Sequence, residues 1–311
     1  MIVTWDLDAA ALPAGPVVLA LGTFDGVHRG HQAVIEEVRA RARATGGPAV
    51  VVTFDPHPVT VIAAPREPFL LSTIEERLPL LAAAGADAAV VVRFNEAVRQ
   101  MSARAWLDLL GERLRPHHIA ASSTHAFGRG REGTPTLLQE WAAPRGVRVT
   151  IVPPVHDGGA MISSTAIRER LRAGDVRTAA VWLGRWYGVR GEVVAGEGRG
   201  RQIGVPTANL QHPQHKLLPA RGVYAAYATV GGKTFQAAVN VGVRPTFGSN
   251  ELIVEAHLLD AAVELRGKTL ELAFVARLRD ERRFPNVDAL RAQLTEDLAT
   301  VRSILEESHV R

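Results

Sequence analysis

The chain has no cysteine, which removes disulfides, thiolate nucleophiles and cysteine-type zinc sites from the chemistry open to it. Lysine is nearly absent too, standing only at Lys216, Lys233 and Lys268, so a formal charge of +4 and a pI near 9.9 are arginine's work. No basic tract or stripe accompanies that charge, so the electrostatic footprint of a nucleic-acid binder is missing and no nucleic acid is expected. Anionic small molecules such as nucleoside phosphates suit scattered arginines at least as well. No uninterrupted apolar run reaches the length of a membrane span, which argues against a membrane protein. The opening MIVTWDLDAA lacks the basic-then-apolar pattern of a secretory leader, so a cytoplasmic location is expected. What remains is 311 residues, 47% hydrophobic and 22% charged, enough for two domains with a core each.

Up to Arg185, short apolar runs at 17–21, 49–54, 88–94, 118–122 and 147–152 alternate with amphipathic stretches. Such valine- and isoleucine-rich runs suit strands buried on both faces. In the stretch 31–45, Val34, Ile35, Val38 and Ala42 share one helical face, and Gly46-Gly47 closes it. Residues 72–86 open with Ser72 and Glu75 at capping-box spacing, and 102–114 supplies a third helix. This alternation predicts an α/β domain with a parallel, doubly wound sheet. After Tyr187 the texture changes to apolar strands at 189–194, 222–230, 233–241, 252–259 and 269–278 between Gly, Pro and Asn turns. They read as an antiparallel sheet or small barrel of about six strands. The tail returns to helix, with Val287, Leu290, Leu294, Leu298, Val301 and Leu305 in one apolar stripe suited to packing on the barrel. The expected domains are residues 1–186 and 187–311.

Four stretches of the first domain carry chemistry. GTFDGVHRGHQ (22–32) runs from a strand end through a glycine-rich turn into a helix beginning near His31. A metal site, a structural turn and a phosphate cradle are all open to it. The metal reading is the weaker, since no third ligand lies at helical spacing. In an open parallel sheet, ligands bind beyond the carboxyl ends of strands, where helix N-termini offer free N–H groups. There Gly26 and Gly30 let backbone approach phosphate oxygens, and His28 and His31 can donate to them. MISSTAIRERL (161–171) offers Ser163, Ser164 and Thr165 at a helix start and Arg168 one turn in; an N-cap run alone does not require that arginine. In TFDPHPVTV (53–61), Asp55 and His57 are stiffened by Pro56 and Pro58 into a loop that reads as a ligand wall at the same sheet edge.

In the second domain, GRGRQIGVPTANL (198–210) ends in Thr207 and Asn209, two residues apart and so on one side of an extended segment. Their oxygens, with phosphate and water, suit Mg2+; a capped loop between strands is the other reading. Glu255 interrupts the apolar strand LIVEAHLLD (252–260). It is either paired on a surface face or kept as a base, whose pKa desolvation would raise. Ile253 and His257 leave its face ambiguous.

HxGH after the first strand with ISSTxIR after the last resembles the nucleotidylyltransferase superfamily. GTFDGVHRGHQ, TFDPHP and ISSTAIR narrow the resemblance to the FAD synthetase half of the bacterial bifunctional riboflavin kinase/FAD synthetase family. The resemblance implies a Rossmann-like N-terminal domain that adenylylates FMN to FAD with Mg2+ assistance, the FMN phosphate attacking the ATP α-phosphorus as pyrophosphate leaves. It implies ATP binding by Gly22, Phe24, Asp25, Gly26, His28, Gly30, His31, Ser163, Ser164, Thr165 and Arg168. His28 and His31 would act in catalysis, and Asp55, Pro56, His57 and Pro58 would bind flavin. ASSTHAFGRGREG departs from the family's V-G-x-(Asn or Asp)-F-x-F-G pattern: Ser122 replaces the glycine, Thr124 the Asn or Asp, and His125 the first Phe, while Phe127-Gly128 is kept. That departure motivates an alternative, a riboflavin kinase with an impaired N-terminal half.

GRGRQIGVPTAN, PARGVYAA, VNVGVRPTF, VEAHLLD and LRDERRF, in this order, resemble the riboflavin kinase domain over its whole length. This implies a six-stranded Greek-key barrel with a C-terminal helix, and an ATP site at Gly200, Gly204, Pro206, Thr207 and Asn209. Thr207 and Asn209 would be the Mg2+ ligands, and Glu255 would activate the ribityl 5′-hydroxyl. Arg266 stands where the family often has tyrosine, a surface or rim change. The partners so implied are riboflavin, FMN, FAD and ATP, with the oligomeric state left open. A non-catalytic flavin-binding regulatory protein is a further alternative, against which Thr207, Asn209 and Glu255 count, since a binder needs no base.

Overall fold

Valine- and alanine-rich runs with no polar face can only be satisfied between two layers, and that is where the first of them lie. The computed structural model describes residues 1–7, 12–63, 69–195, 204–246, 249–261 and 263–308, with the side chains of 244–246 and 249–251 outside that description. It divides into two compact units, Met1–Ser164 and Thr165–Arg311. The first contains, in order, β1 (Ile2–Thr4), β2 (Val18–Leu21), α1 (Arg29–Thr45), β3 (Ala49–Asp55), α2 (Pro58–Ile62), α3 (Ile74–Ala83) and β4 (Ala88–Arg93). There follow α4 (Glu96–Gln100), α5 (Ala103–Leu114), β5 (His118–Ser122), α6 (Pro135–Ala142), β6 (Arg148–Val152) and the short hairpin β7 (His156–Asp157) and β8 (Ala160–Met161). Six strands form one parallel sheet in the order β1-β4-β3-β2-β5-β6. Every residue of β2 is buried, and Val18, Leu19 and Leu21 each contribute about 1.5–3 kcal/mol.

The chain reverses its direction across the sheet between β2 and β5, which makes their carboxyl ends a topological switch point. The loops after β2, β3, β5 and β6 all emerge at that edge. They are the loops that hold GTFDGVH, DPHP, STHAFG and the approach to ISST. On α1 the expected face is the buried one: Val34, Ile35, Val38 and Ala42. The helix starts earlier than expected, at Arg29 rather than near His31, because His28 caps it. Gly46, at φ 69°, closes it. On α3 the capping box sits one residue later than expected, on Thr73 and Glu76, with reciprocal bonds of 3.3 and 3.0 Å. Ser72 is drawn instead toward Asp25.

The second unit begins with α7 (Ser164–Arg172, its first residue in the other unit) and α8 (Val176–Leu183). The barrel strands are β9 (Tyr187–Val194), β10 (Ala208–Gln211), β11 (Gly222–Val230), β12 (Lys233–Thr246), β13 (Ser249–Leu258) and β14 (Thr269–Arg279), and α9 (Val287–Glu307) ends the fold. The barrel closes in the order β10-β13-β12-β11-β14-β9 with antiparallel pairs throughout. Its run β14-β11-β12-β13 is the 4-1-2-3 order of a Greek key. The helical stripe packs on the barrel in its second half, where Leu298, Val301, Ile304 and Leu305 meet Ala225, Leu259 and Val275. At the other end Val287 is 52% exposed. A buried carboxylate, Asp297, pins α9 through a forked bond from Arg279, with Nη2 at 2.7 Å.

Candidate active sites

The loop after β2 is held in an uncommon shape: Phe24, Gly26 and Val27 have φ of 52°, 81° and 41°. A β-branched residue in the left-handed region costs about 1–3 kcal/mol and persists only where its surroundings over-determine it. The purpose of that shape is visible at His28, whose Nδ1 accepts the His31 backbone N–H at 3.3 Å. An accepting Nδ1 carries no proton, so the neutral ring presents Nε2–H as a donor. His31 stacks on His28 with centroids 3.7 Å apart and meets Phe24 edge-on at 5.1 Å. Gly30 suits the close approach of the His28 ring, since a Cβ there would lie 3.0 Å from it. Farther along the same edge, Ser164 Oγ donates to the Asp25 carbonyl at 2.9 Å, which brings the ISST segment to the loop. Ser163 is partly buried beside it, whereas Thr165 and Arg168 follow on α7 in the second unit.

Beneath the loop lies a polar network that joins Asp25, expected at the nucleotide site, and Ser72, expected as a helix cap, to Arg77, which the sequence reading did not single out. Asp25 is fully buried, and its carboxylate accepts from Leu71 N, Ser72 N and Ser72 Oγ at 3.1, 2.9 and 3.2 Å. Gly26 N donates to Ser72 Oγ at 2.8 Å. Arg77, 2% exposed, lies next to both; burial lowers its pKa, and Asp25, Asp55 and two glutamates oppose that. Asp25 is thus a brace for the loop. In the neighbouring DPHP loop, burial raises the Asp55 carboxyl above its usual range against the pull of Arg77. His57 caps α2 by accepting the Val59 N–H at Nδ1, and its ring meets Phe69 edge-on at 5.2 Å. Both histidine-bearing loops therefore fix an imidazole with Nδ1 as acceptor, and so with Nε2–H as donor, by the same device.

After β5, Ser122 Oγ and Thr124 Oγ1 lie 3.2 Å apart, and the His125 ring stacks on Phe127 at 5.4 Å. Among the described residues His125 Nε2 is buried without a hydrogen-bond partner. Burial first, then Arg131, pushes its pKa from 6.5 down to about 4. The unfolded chain takes up a proton below pH 6.5 and the folded one does not. The stability this ring contributes is therefore present above pH 6.5 and is lost as pH falls through about 4. His125→Phe should flatten that part of the Tm-against-pH curve, as thermal unfolding of both proteins between those limits would show.

In the barrel, Val254, Ala256 and Leu258 are buried, which turns the alternate residue Glu255 to the outer face. The sequence left that choice open. Strand register sets Glu255 directly opposite Asn209 on β10 and Asn240 on β12, so three polar side chains lie in one row across neighbouring strands. Thr207 is exposed just before β10, and His257 Nδ1 donates to the Pro206 carbonyl at 2.8 Å, tying that segment to β13. Gly204 takes a φ of 83°. Gly200, the remaining expected nucleotide residue, lies outside the described residues. Asn240 and Glu281 were not anticipated. Asn240 Nδ2 donates to Glu281 Oε1 at 3.5 Å, and a Cβ on Gly242 would come within 2.2 Å of that oxygen. Strand register reveals Asn240, and only the fold brings Glu281, after β14, to it. Arg266 is exposed in the turn before β14.

A doubly wound sheet with an anion-directed loop at its switch point, followed by a barrel carrying a carboxylate beside a Thr-Ala-Asn segment, defines a two-part nucleotide-dependent transferase. Residues 13–166 match the family described as FAD synthetase, and residues 183–305 the family described as riboflavin kinase. The chain is 36% identical over 292 residues to the bifunctional riboflavin kinase/FMN adenylyltransferase of Escherichia coli strain K12, covering 93% of each. It is 34% identical over 285 residues to that of Bacillus subtilis strain 168, covering 90% of each. A crystal structure described as a macrolide-efflux protein from Streptococcus pneumoniae superposes with a TM-score of 0.88 at 31% identity, covering 97% of this chain and 98% of that one. No helix among the described residues here is long and apolar enough to cross a membrane. The chain belongs to the bifunctional riboflavin kinase/FMN adenylyltransferase family.

Proposed function

We propose that the chain phosphorylates riboflavin to FMN in residues 187–311 and adenylylates FMN to FAD in residues 1–186, both at the expense of ATP and in the cytoplasm. The observation that carries the kinase half is the row Asn209–Glu255 on the outer face of the barrel, with Thr207 next to it. The Glu255 carboxylate accepts the proton of the ribityl 5′-hydroxyl while its oxygen attacks the γ-phosphorus, and the bond from that phosphorus to the ADP oxygen breaks. The donor set fits Mg2+: the side-chain oxygens of Thr207 and Asn209 are hard ligands, and phosphate oxygens and water would complete the shell that they begin. When bound, the cation neutralises phosphate charge.

In the N-terminal half an FMN phosphate oxygen attacks the α-phosphorus, and the bond to the departing pyrophosphate breaks. His28 Nε2–H and His31 would donate to the leaving phosphates at the start of α1, with Gly22, Gly26 and Gly30 letting them approach. Arg168 and the Ser163–Thr165 hydroxyls would complete the nucleotide side, and the 55–58 loop the flavin side. Positioning and charge stabilisation suffice, with no covalent enzyme intermediate. Matches to both families over their own segments support this reading over a kinase alone or a non-catalytic flavin binder. A chromatographic time course with riboflavin, ATP and Mg2+, repeated from FMN, should show FMN and then FAD. Chelating Mg2+ should stop both steps. FMN accumulating without FAD from either start would reduce the chain to a kinase.

A further inference from the structure

We infer that Arg77 is a positioning residue for adenylyl transfer, holding the phosphate loop after β2 and the DPHP loop after β3 in one fixed relation; this rests on the site reading above. A guanidinium this deeply buried is tolerated only when its forked donors are met. Here they are met by β3 and by Ser72, the residues on which the two loops rest. Nη1 donates to the Phe54 carbonyl at 3.1 Å, immediately before Asp55, and to Thr53 Oγ1 at 3.3 Å. Thr53 Oγ1 in turn donates to the Thr23 carbonyl at 2.8 Å.

On the other side Nη2 donates to the Ser72 carbonyl at 3.1 Å and Nε to Ser72 Oγ at 3.5 Å. Ser72 Oγ accepts the Gly26 N–H at 2.8 Å and gives its own proton to Asp25. Each hydroxyl thus donates once toward the phosphate loop and accepts from Arg77, a consistent assignment of every proton. The alternative, a plain buried ion pair, is poorly served. The Asp25 carboxylate already takes three closer donors, and Arg77 stands 3.8 Å from it. The guanidinium spends its directional bonds on the carbonyl and hydroxyls that carry the loops.

The test uses the full chain and two assays on each preparation: FAD from FMN and ATP, and FMN from riboflavin and ATP. Arg77→Lys keeps the charge and loses the fork. It should lower kcat/KM for FAD formation about 100-fold, the scale of a 1 Å misplacement, and raise KM for both ATP and FMN. Ser72→Ala cuts only the arm to Gly26 and Asp25. It should raise KM for ATP about tenfold and leave that for FMN within about twofold. FMN formation from riboflavin should be unchanged in both proteins. Variants with a lowered Tm but wild-type KM values for ATP and FMN would overturn the inference, leaving Arg77 a packing residue. If Arg77→Lys does not fold, an unchanged ATP KM in Ser72→Ala overturns it alone. A wild-type chain that forms FMN but no FAD would overturn the site reading itself, and the inference with it, before any variant is made.

Discussion

Replacing Glu255 by glutamine should lower riboflavin phosphorylation by about 10²–10⁴-fold, the range that removal of a general base commands. Adenylylation of added FMN by the same protein should stay within about twofold of the wild type, since Glu255 shares no partner with the residues proposed for that step. Glutamine keeps the shape, the strand position and a hydrogen-bonding oxygen, and it loses only the capacity to take a proton. Glu255 is partly buried on the outer face, flanked by Asn209 and Asn240, so the substitution neither opens a cavity in the barrel nor strands a core group. Initial rates of FMN appearance, measured by chromatography of quenched samples, give the answer directly. Equal rates would remove Glu255 from the chemistry and leave the row as a binding surface.

The second large effect concerns His28. His28→Ala should lower FAD formation from FMN by about 10²–10³-fold, as loss of a preorganised donor to developing charge does, and leave FMN formation from riboflavin intact. Alanine removes two things at once, because the same ring caps α1 through Nδ1, and loss of a cap costs about 1 kcal/mol of stability. His28→Asn separates them. Asparagine is a good N-cap residue, so it should restore Tm without restoring FAD formation. Recovery of activity together with Tm would mean that the imidazole matters only as a cap, and its Nε2–H would then have no part in adenylyl transfer.

These two sites differ in how much of them could be read without the fold. The HxGH loop is local: one strand end, one turn and one helix start within eleven residues (22–32), so its glycines, its histidines and the buried face of α1 all follow from short-range periodicity. The same holds for the apolar runs that became the parallel sheet. Even locally the reading slipped by a residue or two. Ser72 and Thr73 are both competent caps, and only the demand of buried Asp25 for donors decided which one closed α3. Arg77 was invisible for a similar reason. An arginine on an amphipathic helix reads as solvated, and only packing shows it buried with acceptors on β3 and on Ser72 before α3.

The composition alone excluded thiol and disulfide chemistry, and short-range pattern alone determined two successive architectures, five of the six strands of each main sheet, and the residue types gathered at each motif. Tertiary structure alone decided that β2 and β5 flank the switch point, that Glu255 faces outward, that Asn240 joins its row, and that Glu281 bonds Asn240. The reason is the period of two in a strand. Shifting the pairing by one residue turns every side chain to the opposite face, and the pairing of β10 with β13 is set by barrel closure across a stretch of chain that no local pattern spans.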